Sequence, residues 1–291
     1  MFLQQLINGI SVGSVYALLA VGYALIYSLL NFTNFAHAIT VTIAAFGCYW
    51  FQALITPNLP ASLLAGILVA IVMGIFIELF AYRPLLVKKA RRLYLMIVGL
   101  GVSILCENLM IIVFTGRVRV YPEGFPTDSI NIFGASVGLI DLIILVVSVL
   151  ALVCVELYIE KTRTGLAIRS SAFNLEATAL MGVNTNRLIL TVFIIAGLLA
   201  GIAGTLLGAK YTTYTSLGTY MTNKAFIAAV VGGLGSLPGA VLGALLLGIT
   251  ESFVSAYIST SFRDLFAYII LIVMLLIRPS GLMGKADGDK A

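Results

Sequence analysis

Five polar side chains lie within stretches of the sequence that are otherwise apolar. They are Asn34 and His37, the neighbouring pair Glu107 and Asn108, and Glu251. A charged side chain at the centre of a membrane-spanning helix costs about 2.5 to 3.5 kcal/mol on insertion scales, so such a residue is a candidate for function. We predict either that these residues line a translocation path for a small polar solute or that they hydrogen-bond to a neighbouring helix or subunit.

The sequence gives no indication of catalysis or of cofactor binding. It lacks the H-E-x-x-H zinc motif and the G-x-x-x-x-G-K-[ST] loop that binds nucleotide phosphates. Cys48, Cys106 and Cys154 occur without C-x-x-C spacing, so we expect small buried side chains and neither disulfides nor a metal site. Glu107 and Glu251 each lack a second ionisable group on the same helix face, which argues against a proton relay. We therefore predict that the chain is not an enzyme and binds no cofactor itself.

The composition indicates a membrane protein. Hydrophobic residues make up 61% of the 291 residues and charged residues 10%, whereas soluble domains carry roughly 25% charge. Several apolar runs reach the ~20 residues that a helix needs to cross hydrocarbon. We predict an all-α integral membrane protein, a polytopic helical bundle with eight or nine membrane elements that forms a single domain over 1–291. The predicted elements are 5–30, 38–55, 61–82, 93–114, 135–159, 188–209, 240–257 and 264–277, with a shorter one at 224–231.

The basic residues indicate which loops face the cytoplasm. The loop from Arg83 to Arg92 has five basic residues and no acidic one, and such loops remain cytoplasmic. The stretch 160–187, two spans further on, shares that side, so 115–134 and the N-terminus are predicted to be external. The net charge of +5 then reflects orientation in the bilayer, and we expect no binding to nucleic acid.

Glycines and a proline interrupt the apolar run that follows residue 224. One interpretation is a broken or re-entrant helix beside a transport path, because irregular backbone at membrane depth requires a protein or water-filled environment. The alternative is a tight cytoplasmic turn between two helices. The residues concerned are Gly232, Gly233, Gly235, Pro238 and Gly239.

A short helix is predicted within the cytoplasmic stretch, over 175–181. Asn174 is a favourable N-cap, Glu176 in the first turn suits the helix dipole, and Gly182 ends the helix. At about 10 Å long it would be marginal alone, so it must be held by contacts. It has the slim profile of a helix that lies in a groove of a partner, although it could pack on this chain's own spans. The candidate coupling residues are Asn174, Leu175, Glu176, Ala177, Leu180 and Gly182.

The same stretch resembles a known family. "EATALMG", from Glu176 to Gly182, resembles the Glu-Ala-Ala-x-x-x-Gly signature of bacterial ABC importer permeases, with Thr178 in place of the second Ala. The longer stretch 163–187 resembles the corresponding loop of Liv-type permeases for branched-chain amino acids. The resemblance extends to 8–27, 34–38, 224–252 and 278–284, in the expected order.

The resemblance implies an assembly. In that family the permease pairs with a second homologous permease, two cytoplasmic ABC ATPases that bind ATP and Mg, and an extracytoplasmic solute-binding protein. It implies that the helix over 176–182 docks on an ATPase. It also implies alternating access across the bacterial cytoplasmic (inner) membrane. A stand-alone secondary transporter or channel is the alternative, but it would give this cytoplasmic helix no function.

One departure from the family concerns the substrate. After "NFAH" the family usually continues with Gly and then Glu, whereas this sequence has Ala38 and Ile39. An acidic residue beside the path could interact with a ligand ammonium group. Because this acidic residue is absent, the transported solute could be a related organic acid or amide as well as a branched-chain or other amino acid.

Overall fold

Long apolar helices make up most of the chain. The computed structural model describes residues 2–122, 128–132 and 135–284. In these ranges eight helical segments are long and apolar enough to cross a membrane, and α10 is a shorter, largely buried helix packed among them. The helices are α1 (Phe2–Leu30), α2 (His37–Leu54), α3 (Leu59–Phe76), α4 (Arg83–Val87), α5 (Arg92–Phe114), α6 (Leu139–Lys161), α7 (Arg163–Phe173), α8 (Leu175–Leu180), α9 (Thr185–Lys210), α10 (Leu217–Gly232), α11 (Leu237–Tyr257) and α12 (Arg263–Ile277).

Shorter elements connect the helices. A π-helical turn, Ile77–Tyr82, joins α3 to α4, and a 3₁₀ turn, Thr260–Phe262, leads into α12. Strands β1 (Ser129–Ile132) and β2 (Ala135–Gly138) form an antiparallel hairpin with Ser129 opposite Gly138. The prediction of a polytopic all-α bundle with eight or nine membrane elements is confirmed.

Some predicted boundaries are wrong, each for a local reason. The segment predicted over 135–159 starts as α6 at Leu139, because 135–138 pairs with β1 instead. The short segment predicted from residue 224 starts as α10 at Leu217. Its first two turns, LGTYMTNK, are rich in polar side chains and so have low hydropathy. They form helix all the same, and the Gly218 N–H donates to Thr42 Oγ1 of α2 at 3.0 Å. Helix α7 was not predicted.

The centre of the bundle is the contact between α1 and α11. A methyl group on Gly248 would lie 2.5 Å from Gly13 Cα, and one on Gly9 would lie 2.7 Å from Ile249 Cα. The two backbones therefore touch along this seam, which only glycine permits. Helix α1 is buried along most of its length as a result.

Helices α5, α6 and α12 form an outer layer that exposes apolar side chains such as Ile112 and Leu276. This layer explains why the expectation for the cysteines is wrong in part. Cys48 is buried, whereas Cys106 is half-buried and Cys154 lies on the exposed face of α6.

The glycine and proline residues after α10 form a tight turn between two helices. Gly233 and Gly235 have φ of +110° and +88°, which side chains other than glycine rarely adopt. The segment that follows α12 packs on this turn: the N–H groups of Leu282 and Met283 each donate at 2.9 Å, to the carbonyl oxygens of Val231 and Gly232. The sequence left open a broken or re-entrant helix and a tight turn between two helices, and the structure has the turn. It lies at the same end of the bundle as the end of α12.

The opposite end of the bundle contains the start of α1. Ser11 Oγ lies 3.0 Å from Asp141 Oδ1 in the first turn of α6, and Lys210 Nζ at the end of α9 lies 2.5 Å from the same oxygen. The Gln4 side chain hydrogen-bonds both to the N–H and to the carbonyl of Ser136 in β2. The start of α1 therefore lies at the same end of the bundle as the hairpin, the start of α6 and the end of α9.

Candidate translocation site and coupling helix

Helix α8 forms where the sequence predicted it. The Asn174 Oδ1 accepts a hydrogen bond from the Ala177 N–H at 2.9 Å, which caps the first turn. Gly182, with φ of +89°, ends the helix after the C-cap residue Met181. The prediction of a helix over 175–181 is confirmed to within one residue.

One side of α8 packs on the protein and the other is exposed. Thr178 is buried and Leu175 is half-buried, whereas Leu180 and Met181 are 88% and 86% exposed. Glu176 and Ala177 are also exposed. The helix thus presents an apolar tip beside a carboxylate, in a chain segment that is itself anchored by Thr178.

The two predicted cytoplasmic loops are adjacent in the fold. Lys89 Nζ, in the first loop, lies 3.9 Å from Glu176 Oε1 on α8, and both side chains are largely exposed. Positive-inside reasoning assigned these loops to the same side of the membrane, and their contact agrees with that assignment.

Asn34 and His37 are buried at the start of α2. The Asn34 Oδ1 accepts hydrogen bonds from the Tyr82 hydroxyl at 2.6 Å and from the Ala36 N–H at 3.1 Å. The His37 ring lies edge-on to Tyr23, with 5.0 Å between ring centroids. His37 Nε2 is buried without a hydrogen-bond partner among the described residues. Both side chains are therefore packed inside the protein where α1 connects to α2.

Glu107 and Asn108 separate in the structure although they are adjacent in sequence. Glu107 Oε2 accepts from Thr219 Oγ1 of α10 at 3.0 Å, so it connects α5 to the first turn of α10. Asn108 is exposed, and its amide donates to the Ile104 carbonyl of its own helix at 2.8 Å. Their predicted role in a translocation path remains a prediction.

Glu251 is the acceptor of a buried ionic cluster. Its Oε1 lies 2.8 Å from Lys224 Nζ of α10, and its Oε2 accepts from Arg263 Nη2 of α12 at 3.1 Å. The Tyr16 hydroxyl of α1 donates to Oε2 at 3.0 Å. Lys224 also contacts Asp264 Oδ1 at 2.8 Å. One carboxylate on α11 thus links three neighbouring helices.

A cavity of about 280 Å³ lies against this cluster, at the end of the bundle opposite α8. Burial raises the pKa of the Tyr214 hydroxyl in its wall, so that hydroxyl stays neutral and can donate a hydrogen bond. Among the described residues, the five predicted path residues do not line this cavity, although Glu251 bonds to three residues that do. The lining is Val12, Val15, Tyr16, Leu207, Lys210, Tyr211, Tyr214, Leu217, Tyr220, Met221, Lys224 and Arg263.

Sequence reasoning missed the cations of this cavity. Lys224 stands at the start of a predicted apolar segment, and a lysine in such a position is itself an intramembrane ionisable residue that could have been singled out. Arg263 and Lys210 stand at helix ends, where basic residues are common, so no local signal distinguished them.

Two serines have the spacing of a nucleophile motif, but not its surroundings. The pattern G-x-S-x-G occurs at 9–13 and at 134–138. Ser11 lies inside α1 and donates to Asp141, and Ser136 lies in β2 beside Gln4. The nucleophile of such a motif needs a strand-to-helix turn and a histidine partner, and His37 packs on Tyr23 instead. Within the described residues, no cluster of His, Cys, Asp or Glu could hold a metal ion.

Comparison with known proteins identifies the family. A sequence model of the family described as "Branched-chain amino acid transport system / permease component" matches residues 5–276. The chain is 35% identical to the high-affinity branched-chain amino acid transport system permease protein LivH of Escherichia coli K12, over 99% of this chain and 97% of LivH. It is 34% identical to the corresponding permease protein BraD of Pseudomonas aeruginosa, over 99% of this chain and 98% of BraD.

A solved structure has a similar fold. PsaBC from Streptococcus pneumoniae in complex with Fab aligns with a TM-score of 0.50 and 15% identity, covering 96% of this chain and 93% of that chain. This likeness concerns the fold alone.

The eight candidate membrane spans and the matches to permease proteins identify a multi-pass permease of the cytoplasmic membrane. The chain belongs to the branched-chain amino acid transport permease family. It is the membrane-spanning permease subunit of an ATP-binding-cassette importer, and not an enzyme.

Proposed function

We propose that α8 is the element through which ATPase subunits drive this permease. The observation that carries the proposal is the pair of exposed apolar side chains, Leu180 and Met181, at the end of a capped helix that packs on its own chain through Thr178 and Leu175. Neighbouring exposed apolar side chains outside the bilayer are typical of contact sites for other proteins, whereas a single one such as Leu166 is ordinary on a surface. The predicted coupling residues Asn174, Leu175, Glu176, Ala177 and Gly182 form, cap or end this helix, so each acts in docking or in holding the docking surface.

The test is Leu180→Ser, with Leu166→Ser on α7 as the matched control. Both leucines are exposed and lie in the same cytoplasmic segment. ATP-driven uptake into proteoliposomes should fall about tenfold or more for Leu180→Ser, because a central apolar contact of an interface is worth roughly 2 kcal/mol. Leu166→Ser should retain uptake. Equal uptake by both variants, or uptake that needs no ATPase at all, would overturn the proposal and favour a stand-alone transporter.

We propose further that residues 1–291 act as one permease domain with a coupling loop over 160–187. In the working transporter it would pair with a second homologous permease, two ATPases that bind ATP and Mg, and an external solute-binding protein. The outer-layer helices and the exposed α8 supply separate surfaces for these partners. Co-purification with each tagged partner, followed by mass measurement of the intact complex, tests the composition.

The transported solute is proposed to be a branched-chain amino acid or a related organic acid or amide. The names of LivH and BraD support the first class. Ala38 and Ile39 are 5% and 2% exposed, so the position where the resembling family has Glu is occupied by a buried apolar side chain here. Calorimetric titration of the partner binding protein with leucine, leucinamide and isovalerate separates the classes. If none of the three binds, the substrate proposal fails while the permease assignment stands.

We keep Asn34, His37, Glu107, Asn108 and Glu251 as proposed residues of the translocation path. Glu251 has the strongest support, since three residues that bond to it line the cavity. Glu107 hydrogen-bonds to Thr219, which is adjacent in sequence to the lining residue Tyr220.

A further inference from the structure

The cavity at the end of the bundle opposite α8 presents cations to its interior. Its charged lining residues are Lys210, Lys224 and Arg263. The carboxylates that balance them, on Asp141, Glu251 and Asp264, contact these cations but are absent from the lining. The cluster is neutral as a whole, yet the surface that a ligand would meet is positive.

Of the three cations, Arg263 has the most unused hydrogen-bonding capacity. Lys224 is held by two carboxylate oxygens at 2.8 Å each and is 5% exposed. Lys210 is held by Asp141 at 2.5 Å and lies over the Tyr211 ring. Arg263 donates from Nη2 to Glu251 at 3.1 Å, and its side chain is 31% exposed, compared with 16% for Lys210. A guanidinium has five N–H donors in a planar fork that matches a carboxylate.

The rest of the cavity suits a small apolar group. Its volume of about 280 Å³ is near the lower end of the range of small-molecule pockets, roughly 300 to 1,000 Å³. An apolar wall is formed by Val12, Val15, Leu207, Leu217 and Met221. Four tyrosines, at positions 16, 211, 214 and 220, complete the lining and provide rings and hydroxyl groups.

We propose that this cavity binds the carboxylate end of the transported solute, with Arg263 as the binding residue and the apolar wall taking an aliphatic side chain. The inference rests on the proposed function, since it names where a branched solute of that class binds in the permease. Because the cavity lies at the end of the bundle opposite α8, the solute would occupy it as it arrives from outside.

The test measures chemical access to the cavity in the full chain. The native cysteines are replaced by Cys48→Ala, Cys106→Ser and Cys154→Ser, and Met221→Cys puts a thiol in the cavity wall. Labelling rates with an anionic sulfonate methanethiosulfonate and with its cationic trimethylammonium counterpart are measured in nanodiscs by intact mass. Val118→Cys, on an exposed outer segment, is the control thiol.

We expect the anionic reagent to label Met221→Cys about tenfold faster than the cationic one, because a positive surface concentrates anions. L-leucine should slow labelling and leucinamide, which lacks the carboxylate, should not. Arg263→Gln should weaken the charge preference, since Lys210 and Lys224 remain in the lining, and should abolish the protection by leucine. Arg263→Lys should keep the charge preference and lose most of the protection, since lysine cannot bind a carboxylate in a fork. Val118→Cys should show neither effect.

Several outcomes would overturn the site. Equal labelling by the two reagents would show that the cavity is not selective for anions. Unchanged protection in Arg263→Gln would remove Arg263 as the binding residue. If labelling of Met221→Cys is slower in nanodiscs that contain phosphatidylglycerol but is not slowed by leucine, the cavity binds a lipid phosphate instead. Leucine uptake by the assembled wild-type transporter is measured in parallel. If the transporter takes up no leucine, the proposed function fails. If it takes up leucine but leucine does not slow the labelling of Met221→Cys, only this binding site fails.

Discussion

Lys224 Nζ lies 2.8 Å from Glu251 Oε1, and the two side chains are only 5% and 1% exposed although they come from different helices, α10 and α11. Arg263 approaches the other carboxylate oxygen at 3.1 Å. Removing one member of a buried ion pair leaves an uncompensated charge and costs about 3 to 5 kcal/mol, much more than the pair itself contributes. The cluster is therefore a joint between α10, α11 and α12 that depends on all its members.

Glu251→Leu should lower the thermal stability of the purified protein more than Lys224→Met does. The first change leaves both Lys224 and Arg263 without their shared carboxylate, whereas the second leaves Glu251 with Arg263 and Tyr16. Combining the two should recover part of the loss, since the most deeply buried charge is then removed together with its partner. The thermal stability of each variant is measured by heating the purified protein and determining by size-exclusion chromatography how much monodisperse protein remains. Strictly additive losses would contradict the coupling.

Local signals in the sequence predicted much of the fold but little of this joint. The caps of α8 depend on Asn174 and Gly182, which act within a few residues, so its limits could be read directly. Lys224 and Glu251 are 27 residues apart, and nothing in either helix indicates that they meet. A polar residue's partner is a property of helix packing, which hydropathy does not report.

The close seam between α1 and α11 predicts an unusually intolerant glycine. Gly248→Ala places a methyl group 2.5 Å from Gly13 Cα, which forces the helices apart and should cost about 1 to 3 kcal/mol. Gly101→Ala on α5 is the matched control, because a methyl group there meets nothing within 4 Å. That control should be neutral or slightly stabilising, as alanine favours helix more than glycine does. The test compares the melting temperatures of the two variants in the same detergent. Similar values would show that the α1 and α11 backbones are not in close contact at Gly248.

Two ion pairs of different burial should respond differently to substitution. Asp141 and Lys210 are 17% and 16% exposed and 2.5 Å apart, whereas Glu176 and Lys89 are 88% and 87% exposed and 3.9 Å apart. We expect Asp141→Asn to destabilise the protein by roughly 2 kcal/mol, because Lys210 would keep its charge in a largely buried position without an anionic partner. Glu176→Gln should leave the melting temperature unchanged, since exposed pairs contribute little. A shift for Glu176→Gln that disappears in high salt would instead show that the exposed pair matters.

Removing the cap of α8 should impair coupling without unfolding the protein. Asn174→Ala deletes the acceptor for the Ala177 N–H, and a helix of six residues has few other bonds to compensate. The matched control is Asn184→Ala, which deletes the equivalent cap, to the Arg187 N–H at 3.1 Å, from the 26-residue α9. A cap contributes about 1 kcal/mol, so Asn174→Ala should lower ATPase affinity about fivefold and Asn184→Ala should leave it unchanged. Asn174→Asp, which preserves a side-chain acceptor, should restore binding. If Asn174→Ala binds the ATPase as tightly as the control does, α8 is not held in place by its cap, and its position must depend on Thr178 and the preceding helix α7.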